Sequence, residues 1–336
     1  MTILSVAPDD GGRRLDRILR KALPGIPLSR IHRLLREGRI LVDKQPQEAA
    51  FRVKTGQEIA VPLNPARNGT GTARTAGGPG PRVKTPHVET PRVETPRMET
   101  SRGVPVILYE DPDLLAVNKE AGVPVHGTEG SLDSLVRAYL GPKLPPSLSF
   151  RPGPLHRLDR PTSGIVVFSV SLTGARHFSA LLREGKIHKQ YLALVEGPRI
   201  DKPGRWEEPL LRDRENRRTI VSADGKPART AYSPLAWYPG GKNGNAEKPA
   251  DGYTLLVLEP ETGRRHQIRA HAAFHGHPLA GDSTYGGRPL PGPRGNPPDP
   301  PFLLHAWKLR APALLPPLEA PVPDYFWRHA PQGQNM

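Results

Sequence analysis

The sequence contains no cysteine. Disulfides and thiolate-bound metals are thereby excluded, and a reducing compartment fits. Nowhere do twenty apolar residues follow one another, and Met1-Thr2-Ile3-Leu4 does not begin a basic-then-apolar leader, so neither a membrane helix nor a secretory signal is expected. Acidic residues are also scarce: 33 Asp and Glu face 48 Lys and Arg, for a formal net charge of +15. That field draws polyanions. With no basic amphipathic anchor in view, nucleic acid is favoured over a membrane surface. The expectation is a cytoplasmic, monomeric protein with nucleic acid as its partner.

A chain of 336 residues has room for two domains. Over residues 13–23, Leu15, Ile18, Leu19, Ala22 and Leu23 share one helical face, and Pro24-Gly25 ends the helix. A second short helix carries Ile31, Leu34 and Leu35, with Ser29 as the expected cap, Gly38 as terminator, and Arg30, Arg33 and Arg36 in a row. Strands at 39–43 and 57–61 follow. Between residues 13 and 58 stand twelve Lys and Arg against five Asp and Glu, a surplus too large for so small a unit to hide. Arg30 and Arg33 are candidates to contact RNA phosphates.

Residues 64–104 are dominated by Pro, Gly, Thr and Arg, with near-repeats ending at Pro86, Pro91, Pro96 and Ser101. Few large side chains are present to offset the entropy of ordering, and a disordered linker is expected. Beyond it, Val106–Tyr109 and Leu114–Lys119 read as a hairpin, Ser131 as the cap of a helix, Leu172–Glu184 as an amphipathic helix ending at Gly185, and Tyr191–Val195, Arg229–Tyr232 and Tyr253–Leu258 as strands. Gly240–Asp251 and Arg288–Pro301 read as loops. The expected fold class is α+β, a large mixed, mainly antiparallel sheet in a domain spanning 105–330. A small α+β unit at 1–63 precedes it and a tail at 331–336 follows.

The most informative stretch is His156-Arg157-Leu158-Asp159-Arg160-Pro161-Thr162-Ser163-Gly164, which runs into the β-branched Ile165-Val166-Val167-Phe168. A carboxylate between two arginines thus sits on a turn at the lip of a buried strand, where a rigid scaffold commonly holds chemical groups. Locally, a plain salt bridge from Asp159 to Arg157 or Arg160 is the simpler reading.

His-Arg-Leu-Asp-x-x-Thr-Ser-Gly closely resembles the signature of the RluA family of pseudouridine synthases. The resemblance continues in order through His188-Lys189-Gln190-Tyr191, Glu261-Thr262-Gly263-Arg264-Arg265-His266-Gln267-Ile268-Arg269, Gly276–Asp282 and Leu304-His305-Ala306, and covers roughly residues 104–328. The unit before it resembles an S-four-type RNA-binding domain, although Asp43-Lys44 stand where Asn is typical.

The resemblance implies isomerisation of uridine to pseudouridine in RNA, with large-subunit ribosomal RNA as the expected substrate and transfer RNA as the alternative. A non-catalytic ribosome-assembly factor is the alternative of another class. The reaction breaks the glycosidic bond, turns the uracil and joins its carbon-5 to the sugar, without redox change or net hydrolysis, so no cofactor is expected. By the resemblance Asp159 is the catalytic carboxylate. It can attack the anomeric carbon, add to the ring or take the 2′ proton. Tyr191 is implied to lie against the target base and Arg269 to pair with Asp159, while Arg157, beside His156, is a candidate to fill the place of a flipped base. A helix carrying Arg265 and Arg269 at i, i+4 would face both toward the site, and His156 and Arg265 are grouped with the substrate-binding residues. His271 and His275 share a spacing used by zinc sites, but no cysteine or suitably spaced Glu completes a set beside these arginines, and no metal site is expected.

Overall fold

The computed structural model describes residues 1–62, 104–144, 146–239, 252–290 and 302–329. The proposed linker, the loop at 240–251, most of the loop at 288–301 and the tail lie outside the described residues. The chain divides into two compact units, the first comprising residues up to 103 together with 145–150, the second the remainder. No helix among the described residues is long and apolar enough to cross a membrane.

In the first unit, β1 (Thr2–Ser5), β4 (Glu58–Val61), β2 (Leu41–Val42) and β3 (Gln45–Pro46) form an antiparallel sheet in that order. Helices α1 (Leu15–Ala22) and α2 (Leu28–Arg36) turn Leu15, Ile18, Leu19, Ile31, Leu34 and Leu35 into one core with Val42, Val53 and Ile59. Helix α2 starts two residues earlier than expected. Pro27, whose ring fixes φ (here −57°), provides the entry and no side chain caps the helix, so Ser29 is not the cap. Gly38 ends it at φ +63°, its N–H and that of Arg39 reaching back to Leu35 and Leu34 carbonyls at 3.0 Å each. Asp43 and Lys44 both take positive φ, as a two-residue hairpin of this hand requires, and Asp43 tolerates that backbone. Arg30, Arg33 and Arg36 are all exposed on α2.

Residues 146–150 were expected within the larger domain but pack into this first unit. Asp10 is fully buried and accepts bonds from the Leu148 and Ser149 amides (2.8 and 2.9 Å) and from Ser147 Oγ (3.0 Å), while Leu148 packs on the core. A carboxylate removed from water needs such donors.

The second unit is built on a ten-stranded mixed sheet. Its strands in chain order are β5 (Val106–Glu110), β6 (Leu114–Lys119), β7 (Gly153–Pro154), β8 (Ser163–Ser169), β9 (His188–Gly197), β10 (Gly204–Trp206), β13 (Thr230–Pro239), β14 (Gly252–Pro260), β15 (Leu304–Ala311) and β16 (Leu315–Glu319). Across the sheet the order is β10-β13-β14-β9-β15-β8-β6-β5, with β16 on β15 and β7 on β8, and only β15 with β8 is parallel. A separate hairpin joins β11 (Leu210–Asp213) to β12 (Arg218–Val221). Among the described residues four α-helices complete the unit: α3 (Leu132–Leu140), α4 (Leu172–Arg183), α5 (Gln267–Phe274) and α6 (Asp324–His329).

All seven residues of β8 are buried because both faces of the sheet are covered, which is why its sequence is a continuous apolar run. Val166 and Phe168 join Val136 of α3 and Ile268 and Ala272 of α5 on one face, while Ile165 and Val167 join Phe178 of α4 on the other. Ser131 caps α3 as expected. Gly164 has φ +108° and a Cβ there would lie 2.1 Å from the Ala306 carbonyl, so the close crossing of β8 and β15 requires glycine. The register sets Lys119, Gly164, Ala306, Tyr191 and Leu258 in one row across five strands. The functional groups gather along that row.

Candidate active site

Asp159 lies on the turn before β8, its carbonyl accepting the Thr162 amide at 3.1 Å. Beside it opens a cavity of about 300 Å³ lined by Arg157, Leu158, Asp159, Thr162, Lys189, Tyr191, residues 262–269 and Leu304. The volume suits one nucleoside, not a duplex.

Arg269 projects from α5. Its Nη1 is 3.4 Å from Asp159 Oδ2, while Nε and Nη2 grip Asp282 Oδ2 and Oδ1 at 2.6 and 2.8 Å. The guanidinium also packs against the rings of Phe302 and Tyr285, at 4.5 and 4.8 Å from their centroids. Burial works against its charge, but Asp282 and then Asp159 outweigh that, and its pKa is raised above the ordinary arginine value. A permanent cation therefore faces the carboxylate. Tyr191, in β9, is nearly buried; desolvation, then the Asp159 charge, raises its phenol pKa.

Other expected residues fall elsewhere. His156 turns away from the cavity: its Nε2 accepts the Val167 amide at 3.1 Å, its ring stacks on Phe178 of α4, and desolvation drives its pKa down to about 3. It holds the strand entry and does not line the cavity. Arg265 is not on a helix with Arg269, because His266 adopts φ 51° and α5 begins only at Gln267. Arg265 nonetheless lines the cavity, as does the exposed Arg157. Both nitrogens of His271 are taken, by Thr230 Oγ1 and the Glu208 carbonyl (each 3.0 Å), and His275 bonds the Glu208 carboxylate at 3.0 Å. Among the described residues no cluster of three or more His, Cys, Asp or Glu is placed to hold a metal.

Two residues assigned no role from the sequence prove central. Asp282, 1% exposed, orients Arg269. Lys119, fully buried, donates to the carbonyls of Glu120, Val123 and Arg160 at 2.9, 2.8 and 2.9 Å, and so ties the Asp159 turn to the loop after β6. Burial, opposed in part by the Asp159 charge, pulls its pKa down to about 7. The three carbonyls favour the ammonium, since an amine has only two N–H groups to offer. Lys119→Met is expected to lose about 1–3 kcal/mol through carbonyls left unpaired, measured by urea denaturation at neutral pH. Unchanged stability would contradict the tie.

The family follows from comparison with known proteins. Residues 113–274 match the family described as RNA pseudouridylate synthase, and residues 13–59 match the S4 domain. Ribosomal large subunit pseudouridine synthase C of Salmonella typhi is 32% identical over 289 residues, 85% of this chain and 80% of that protein. The Escherichia coli K12 protein of the same name gives the same identity and coverage. The chain belongs to the RNA pseudouridylate synthase family. It is thus an isomerase that converts uridine to pseudouridine in RNA. Among solved structures, human RNA pseudouridylate synthase domain containing 4 superposes with a TM-score of 0.51 at 25% identity, covering 67% of this chain and 91% of that one. Human RNA pseudouridylate synthase domain containing 1 gives the same score and identity, with 85% of its chain covered. The expected α+β class and large mixed sheet hold.

Proposed function

We propose that this synthase modifies uridine in large-subunit ribosomal RNA, with Asp159 as the catalytic carboxylate. The observation that carries the assignment is the Asp282–Arg269–Asp159 array at the wall of a nucleoside-sized cavity. Arg269, charge-balanced by Asp282, sets a cation against the Asp159 carboxylate. An ionised carboxylate can attack the anomeric carbon, add to the ring or take the 2′ proton. The bond from sugar to nitrogen breaks, one from sugar to carbon-5 forms, and the carbon-5 proton passes out as nitrogen gains one. Tyr191, with its raised pKa, meets the uracil as a neutral phenol, not a resting phenolate base. Arg157, exposed and lining the cavity, is the candidate to fill the gap left by a flipped base.

The ribosomal substrate is supported by the names of the relatives, and RNA binding by the exposed basic row on α2. Purified protein incubated with large-subunit ribosomal RNA and with transfer RNA, each mapped for pseudouridine, tests the choice. Modification confined to transfer RNA would reject it. The surplus of positive charge and the absence of cysteine support a cytoplasmic setting, and a monomer suffices because one chain supplies every group named.

Two further outcomes are expected. Replacing Arg30 and Arg33 together by Ala should weaken RNA binding and reduce the slope of log affinity against log salt by about 1–2, as each lost phosphate contact releases fewer counterions. A filter-binding titration with an unchanged slope would remove α2 from the RNA interface. Because no electron or group enters or leaves, turnover on a stem-loop that folds without divalent ions should persist after dialysis against EDTA. Loss of turnover that zinc alone restores would contradict this.

A further inference from the structure

His266 is a second group at the Asp159 carboxylate, and the chemistry above does not employ it. Its Nε2 lies 3.7 Å from Oδ2, the oxygen that Arg269 also approaches. The φ of 51° is a backbone conformation that side chains rarely adopt, and it persists only where neighbours fix it. Here they do. The Gln267 amide accepts from Thr262 Oγ1 and the Arg264 N–H at 2.7 and 3.0 Å, and Thr219 Oγ1 of β12 donates to the Arg265 carbonyl at 2.9 Å.

The same strand reaches the imidazole by a second route. The Thr219 N–H donates to Tyr285 Oη at 2.8 Å, and that oxygen is 3.1 Å from His266 Nδ1. With an Oη lone pair taken by the amide, the phenolic proton is available to Nδ1, which leaves the ring proton of a neutral imidazole on Nε2, facing Asp159. The other tautomer would aim a nitrogen lone pair at a carboxylate. Arg265 Nε donates to Nε2 at 3.3 Å from an exposed side chain, a bond that uses the other tautomer and that the relay displaces when Nε2 carries its proton toward Asp159. A contact of 3.7 Å is longer than a hydrogen bond, as catalytic contacts in unliganded sites often are, and a small shift shortens it.

We propose that Tyr285 and His266 form a positioning relay from the β11–β12 hairpin to Asp159, which with Arg269 holds Oδ2 and leaves Oδ1 to meet the nucleotide. The inference rests on Asp159 being the catalyst. Tyr285→Phe keeps the ring against Arg269 and removes only the hydroxyl. His266→Leu removes the donor, and His266→Gln restores an N–H at similar reach.

The test is steady-state kinetics of the full-length variants on one ribosomal RNA transcript, with circular-dichroism melting as the control for folding. Tyr285→Phe and His266→Leu should lower kcat by about 10²-fold with KM within about twofold, as expected for a misplaced reacting group, and His266→Gln should regain about tenfold over Leu. The relay is overturned if Tyr285→Phe retains wild-type kcat, if the loss appears in KM alone, or if Gln is no better than Leu, while Asp159→Asn is inactive. Turnover by Asp159→Asn would instead overturn the underlying assignment, and the relay with it.

Discussion

Asp159→Asn is expected to lower the rate of isomerisation by about 10³-fold or more while the fold and RNA affinity are retained. The amide matches the carboxylate in size and can still accept a bond from Arg269 Nη1, now 3.4 Å away. What it lacks is the negative charge that all three candidate routes require. Release of tritium from RNA labelled at uridine carbon-5, measured alongside a binding titration, separates the two effects. Loss of binding in parallel with loss of turnover would assign Asp159 to recognition instead of chemistry.

The second large effect concerns Asp282. Arg269 is 6% exposed and Asp282 1%, and their two bonds at 2.6 and 2.8 Å are short and forked. Asp282→Leu leaves a buried guanidinium without its partner, and the expected loss of stability is about 3–5 kcal/mol. Activity should fall as well, because the cation facing Asp159 is no longer aimed. Combining Asp282→Leu with Arg269→Met replaces the ion pair by apolar groups of similar volume and should recover most of the stability, since burying two charges is itself costly. It should recover none of the activity. Urea denaturation and turnover of the three variants check this. If the double variant is no more stable than Asp282→Leu, the residual charge is not the cause.

Which parts of this site could be read from the chain follows from how local each signal is. The run Ile165–Phe168 announces a strand buried on both faces, and the apolar spacing in α1 and α2 announces their inward faces, because these patterns are written within a few residues. Asp159, Tyr191 and Arg269 were legible through ordered motifs. His156 was not: the chain from 155 to 162 is irregular, and no periodicity says whether its ring points to the cavity or to α4. Lys119 looks like any lysine at a strand end. Its role appears only when the carbonyls of Val123 and Arg160 are brought to it, the latter 41 residues away. Asp282 lay in a recognised motif, but its partnership with Arg269 depends on the turn after α5 folding back against that helix. The helix start at Gln267 is not legible in the sequence, because a left-handed histidine leaves no mark in composition. Nor does the sequence around Ser147–Ser149 show that Asp10, far upstream, will claim its amides.

The most direct test of the account is to map pseudouridine in large-subunit ribosomal RNA transcripts incubated with wild-type protein and with Asp159→Asn. Carbodiimide adducts read by primer extension locate each modified position. The account predicts new pseudouridine at discrete positions with wild-type protein and none with the variant, at RNA occupancy shown to be equal. The same positions modified by the variant, or no modification by a wild-type protein that binds the RNA, would contradict it.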